Sequence, residues 1–77
     1  MTTFQVKAHW DREARVWWAE SDDLPGLVAE AATHEQLVAD LLAIIPDLVA
    51  LNLPDLRAER LSFALIADRT EELHPAA

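Results

Sequence analysis

A chain of 77 residues has room for one domain, and a domain this small buries only about 60% of the surface its unfolded chain exposes, so one helix-on-sheet layer is near the limit of independent stability. Hydrophobic residues at 52%, three tryptophans among them, argue against disorder, and the lack of cysteine excludes disulfide staples and thiolate metal sites. Fourteen acidic against six basic residues give a formal charge of −8, which repels phosphate backbones, disfavours direct binding of DNA or RNA, and suits a basic protein partner.

Met1 to Lys7 lack the basic start and apolar run of a signal peptide, and no later stretch approaches the roughly 20 apolar residues of a membrane span. The expected location is cytoplasmic, with no membrane contact. Phe4, Val6, Ala8 and Trp10 alternate with Gln5, Lys7 and His9, the period of a strand with one face buried. Asp11-Arg12-Glu13-Ala14 is a polar break of hairpin length, and Arg15 to Ser21 gives a second strand antiparallel to the first. Two registers are open. We prefer the one in which Trp17 and Ala19 join the buried face, because it sets the small Ala19 among aromatics. Val16, Trp18 and Glu20 then share the opposite face with Gln5, Lys7 and His9.

Asp22-Asp23-Leu24-Pro25-Gly26 ends the second strand. Pro25 fixes φ for a turn corner, and Gly26, the sole glycine, tolerates the positive φ that follows. Leu27 to Ala31 reads as a short third strand. Thr33-His34-Glu35-Gln36 fits a capping box, with Thr33 accepting from an amide three residues on and Gln36 reaching back, while Glu35 suits the helix dipole. Leu37, Val38, Leu41, Leu42, Ile44, Ile45, Leu48 and Val49 follow helical spacing. Pro46 predicts a kink or a restart, after which Leu48, Val49 and Leu51 bend around the sheet edge. Asn52-Leu53-Pro54-Asp55 ends the helical region. Leu61, Phe63 and Leu65, alternating with Ser62, Ala64 and Ile66, form the last strand. The ordered core spans about residues 3–67, and 68–77 reads as a flexible tail of the single domain 1–77. The fold expected is α+β, an antiparallel sheet of order β-β-β-α-β with one helix packed on one face.

The segment from Val16 to Thr33 resembles the core of HicB-like antitoxin domains, in which a strand ending in an acidic residue leads to a D-hydrophobic-Pro-Gly turn, a short strand and Thr-x-Glu at a helix start. Within that group the chain is most similar to the small bacterial domain-of-unknown-function 1902 family. The likeness rests on Ala8-x-Trp10-Asp11-x-Glu13-Ala14, Val16-Trp17, Ser21-x-Asp23-x-Pro25-Gly26-Leu27, Thr33-x-Glu35 and Ile45-Pro46-x-Leu48 leading to Asn52. It covers roughly the first fifty residues. The fold it implies is the HicB-like one, often described as half of a ribonuclease H fold.

No catalytic, cofactor-binding or metal site is expected. His9 alternates outward in the first strand, His34 follows a helix cap and His74 lies in the tail; each reads as solvent-exposed, and no paired-His or HExxH arrangement is present. The hydroxyls of Ser21 and Ser62 belong to no nucleophile motif. Asp22 and Asp23 invite a nuclease reading because two-metal chemistry uses clustered carboxylates. Adjacent residues on a turn diverge, however, no third carboxylate is identifiable, and an Asx turn around Pro25-Gly26 accounts for the pair. The sheet face opposite the helix should carry Val16, Trp18, Ala64 and Ile66, a candidate protein interface with Asp22 and Asp23 beside it. Edge strands offer a second route, by strand addition between identical chains. A homo-oligomer, dimeric or higher, is expected.

The resemblance implies a non-catalytic module of antitoxin type that occludes a small basic toxin, as HicB-like domains do with HicA-type messenger-RNA-cleaving partners. HicB antitoxins usually add a C-terminal DNA-binding segment, and the present chain ends soon after its last strand, so autoregulation by direct DNA contact is not expected. The alternative is a self-associating structural or regulatory domain with no toxin partner, since resemblance of fold does not transfer activity.

Overall fold

The computed structural model describes residues 2–56 and 60–76. The elements are β1 (Thr2–Asp11), β2 (Val16–Glu20), β3 (Ala29–Ala31), α1 (His34–Asn52), a 3-10 turn at Pro54–Leu56 and β4 (Leu61–Asp68). They form an α+β unit in which a four-stranded sheet of order β3-β2-β1-β4 carries α1 on one face.

The β1–β2 hairpin takes the register that buries Trp17 and Ala19. Trp10 lies opposite Trp17 and Ala8 opposite Ala19, so Trp17 and Ala19 join Phe4, Val6 and Ala8 in the core, with Trp10 partly buried against it. The hairpin loop closes with the Arg15 amide donating to the Asp11 carbonyl at 2.8 Å. Asp11 Oδ1 also accepts from the amides of Glu13 and Ala14. Arg15 takes φ 57°, the left-handed region that suits a residue without a Cβ.

Pro25 and Gly26 behave as their chemistry demands. The Leu27 amide donates to the Leu24 carbonyl at 3.2 Å, with Pro25 at the first corner and Gly26 at φ 85° at the second, the pattern of a type II turn. That turn buries both Leu24 and Leu27. It also consumes Leu27 and Val28, so β3 begins at Ala29 and not at Leu27 as the apolar run suggested.

Thr33 caps α1, its Oγ1 accepting from the Gln36 amide at 3.1 Å. The reciprocal half of the capping box is absent, because the Gln36 side chain turns forward to donate to Asp40 Oδ1 at 3.0 Å. The helix neither stops nor restarts at Pro46; it continues to Asn52. Pro46 leaves the Leu42 carbonyl without its usual donor, and Leu42 and Pro46 both lie on the exposed side, where water can serve that carbonyl. Leu37, Leu41, Ile45 and Val49 form one buried stripe at four-residue spacing, each side chain contributing about 1.5–3 kcal/mol of burial. Leu42 and Leu51, both counted among the apolar set by their spacing or position, point outward instead.

The expected sheet was wholly antiparallel, and here the structure corrects the detail while keeping the class. β4 pairs with β1 in parallel, from Thr2 opposite Leu61 to His9 opposite Asp68. The reason is directional. β3 runs parallel to β1 after two antiparallel steps, α1 returns along the face, and a strand that follows such a crossover must run parallel to β3 and hence to β1. The backbone of α1 packs most extensively against β3 and then β2, so the helix covers that half of the sheet more fully than it covers β4. The described residues after β4 have no regular structure, yet Arg69 lies 4.2 Å from the centre of the Trp10 ring and 5.9 Å from that of Trp17. Arg12 and Glu72 approach to 3.6 Å. These contacts fall within the segment expected as a tail.

Candidate protein interface

The face opposite α1 is built by the alternation of each strand. β1 contributes Gln5, Lys7 and His9, β2 contributes Val16, Trp18 and Glu20, β3 contributes Glu30, and β4 contributes Ala64, Ile66 and Asp68. Val16, Trp18, Ala64 and Ile66 therefore share one face. They do not form one patch. His9 lies between Trp18 and Asp68, and Lys7 lies between Glu20 and Ile66, so the polar row of β1 divides an aromatic side from an aliphatic side.

On the aromatic side Trp18 is 39% exposed. His9 covers part of it, with ring centres 4.5 Å apart and planes tilted by 35°. His9 Nε2 stands 3.2 Å from Glu20 Oε2, so His9 is not the freely solvated outward residue that alternation suggested. It is half-buried between a tryptophan and a carboxylate. Trp18 sits opposite Glu30 on β3, and Val28 beyond it is 78% exposed. Trp18, Val28, Glu20, Glu30 and Asp11 line one open cleft of about 520 Å³. Glu20, Glu30, Asp11 and Val28 line this cleft beside Trp18, and sequence reasoning did not single them out as site residues. Glu30 was within reach of it, since the hairpin register and the short third strand together set Glu30 beside Trp18.

Asp22 and Asp23 do not act as a pair. Asp23 Oδ2 accepts the Gln5 amide at 2.7 Å, and the Ser21 hydroxyl donates to the Gln5 carbonyl at 2.6 Å while accepting the Asp23 amide at 3.1 Å. These two side chains occupy Gln5 in the way the next residues of β2 would have done, so the ladder continues past Glu20 without a strand. The Asx turn expected around Pro25-Gly26 is thus replaced by a cap on β1. Asp22 remains exposed at a hollow lined by Gln5, Lys7, Glu20, Ser21 and Asp23. Of the other weighed residues, Ser62 Oγ lies 2.8 Å from Thr3 Oγ1, His34 meets the edge of Trp17 at 5.9 Å, and His74 is exposed. Among the described residues no three His, Asp or Glu side chains gather at metal-binding range. No described helix is long and apolar enough to cross a membrane.

The fold has a counterpart among solved structures. The crystal structure of a hypothetical protein from the extremely thermophilic bacterium Thermus thermophilus superposes with a TM-score of 0.71 at 45% sequence identity, covering 95% of this chain and 99% of that one. No curated protein matches the chain. Residues 3–74 match the family described as Domain of unknown function (DUF1902), a span that takes in all of the sheet and helix but the first residue of β1, and the Arg69 contacts, and the chain belongs to that family.

Proposed function

We propose that this protein is a non-catalytic protein-binding module of antitoxin type, which receives a small basic protein on the acidic cleft around Trp18. The observation that carries the reading is the company Trp18 keeps: an exposed indole flanked by Glu20, Glu30 and Asp11 in one cleft. An arginine or lysine of a partner would meet a ring face for cation–π contact and carboxylates for ion pairing in the same place. The overall charge of −8 draws such a partner in and repels nucleic acid. The likeness to HicB domains supplies the partner's class, a HicA-type messenger-RNA-cleaving protein. The second reading, a self-associating structural or regulatory domain with no toxin partner, is favoured by Ile66, which is 54% exposed on the same face but belongs to the aliphatic side.

The test is a calorimetric titration with a catalytically inactivated HicA-type protein encoded in the same genome. The expected result is binding that weakens with salt and falls at least about tenfold in Trp18→Ala and in Glu20→Lys/Glu30→Lys. No heat with the unaltered chain, or equal affinity in all three proteins, would leave the antitoxin reading without support.

A further inference from the structure

We propose that the free edge of β4 is the place where a second copy of this chain adds, antiparallel and centred on Ala64, to make a continuous eight-stranded sheet. The inference does not depend on the partner assigned to the Trp18 cleft. It begins with the backbone. The Thr2 amide donates to the Arg60 carbonyl at 3.0 Å, and β4 continues in parallel register to Asp68 without interruption. In such a ladder alternate residues turn the same way, so Ser62, Ala64 and Ile66 face β1. The amides and carbonyls of Leu61, Phe63, Leu65 and Ala67 face away from it, at the end of the strand order β3-β2-β1-β4.

Long sheet edges in monomers are usually blunted by lysine, proline, a bulge or a covering loop. From Leu61 to Ala67 the edge has no charge, proline, glycine or bulge. Its core-side residues Leu61, Phe63 and Leu65 are only half-buried, and Leu61 and Phe63 line an apolar groove with Phe4, Ile45 and Leu42, the last 62% exposed. An edge of this kind attracts another strand.

Charge selects which strand. Arg60 and Asp68 bracket the apolar run symmetrically about Ala64, and among the described residues neither has an ion pair within its own chain. Antiparallel pairing about Ala64 sets Arg60 of each copy opposite Asp68 of the other. It also sets Leu61 against Ala67 and Phe63 against Leu65, the outward-facing residues that would exchange hydrogen bonds. A two-fold axis through Ala64 thus satisfies hydrogen bonds, apolar pairs and charges in one register. The acids of the open face do not oppose it, since β2 and β3 lie two and three strand spacings from β4, roughly 10 and 14 Å, at or beyond a Debye length of about 8 Å in physiological salt.

The experiment is sedimentation equilibrium of the full chain and four variants over a micromolar to millimolar range, each checked for native circular dichroism. The unaltered chain should dimerise. Arg60→Asp and Asp68→Arg should each dimerise about ten- to a hundredfold more weakly, because each sets like charges opposite one another twice per dimer. An equimolar mixture of the two should recover the dimer, since each then supplies what the other lacks. Ala67→Pro, which removes an outward amide and leaves the β1 ladder intact, should be monomeric, and Trp18→Ala should dimerise as the unaltered chain does. A monomer throughout the range, a dimer that all the β4 variants retain, a dimer lost only in Trp18→Ala, or a mixture no tighter than its components would each overturn the proposal.

Discussion

The two edges of this sheet are treated in opposite ways. At the β3 edge the strand is three residues long, the loop before it buries Leu24 and Leu27, and the ends of the β1–β2 ladder are completed by Ser21 and Asp23. At the β4 edge an eight-residue strand leaves its outer backbone open and its large side chains half-buried. The difference follows from where α1 lies, since it packs most extensively against β3 and β2. A helix with one buried stripe can seal one half of a four-stranded sheet well, and here the other half keeps Leu61, Phe63 and Leu65 only half-buried.

The sharpest way to break that comparison is to remove one leucine from each side. Leu24 is 2% exposed, and Leu24→Ala should cost about 2–5 kcal/mol because the turn that holds it cannot collapse onto the gap. Leu65→Ala, from a half-buried site, should cost less than about 2 kcal/mol in denaturant unfolding at low micromolar concentration. Its cost should grow as protein concentration rises, if β4 pairs between copies. Equal losses from the two substitutions at low concentration would mean the edges are not different in the way described.

Asp23→Ala comes next in size. It leaves the Gln5 amide without its acceptor and frees the loop from β1, and a hydrogen bond to a charged acceptor at this exposed position is worth about 1–2 kcal/mol. Asp23→Asn should recover part of the loss by keeping the acceptor. An unfolding free energy unchanged in Asp23→Ala would show that the loop's burial of Leu24 and Leu27 alone closes this edge.

How far this was legible in the sequence depends on how far apart the interacting residues stand. The alternation of Phe4, Val6, Ala8 and Trp10, the Pro25-Gly26 corner and the Thr33 cap are set by neighbours, and all three take the expected form. The preferred face for Trp17 could be chosen because only one register places a small residue against aromatics. The direction of β4 follows from the element order, since the strand after a crossover helix runs parallel to β3 and so to β1, but the residue periodicity of β4 itself carries no mark of it. Asp23 reaches Gln5 across 18 residues of sequence, and Arg69 reaches Trp10 from beyond the last strand, so neither contact left a local mark. The candidate interface was legible as a set of residues on one face, but not as two patches, because the polar row of β1 divides it only once β4 is placed beside β1.

Gly26 and Arg15 offer a finer test, as two left-handed positions in the loops before and after β2 that carry opposite kinds of residue. A Cβ at Gly26 would meet nothing within 4 Å, so Gly26→Ala should cost about 1 kcal/mol through backbone conformation alone. The loss should appear in thermal unfolding as a lower midpoint without any change in association.

The smallest effect is expected at Arg15, which holds φ 57° in the hairpin loop. Relief of the left-handed penalty favours glycine by about 1–2 kcal/mol, and the added freedom of the unfolded chain takes back about 0.4–1 kcal/mol. Arg15→Gly should therefore stabilise by a few tenths to about 1 kcal/mol. Because Arg15 lines neither the Trp18 cleft nor the β4 edge, partner binding and dimerisation should stay as they are. A stability gain with unaltered association would separate the two properties. A gain in stability that also tightened the dimer would mean that the β4 edge responds to the hairpin through β1, and the two edges could no longer be treated as independent.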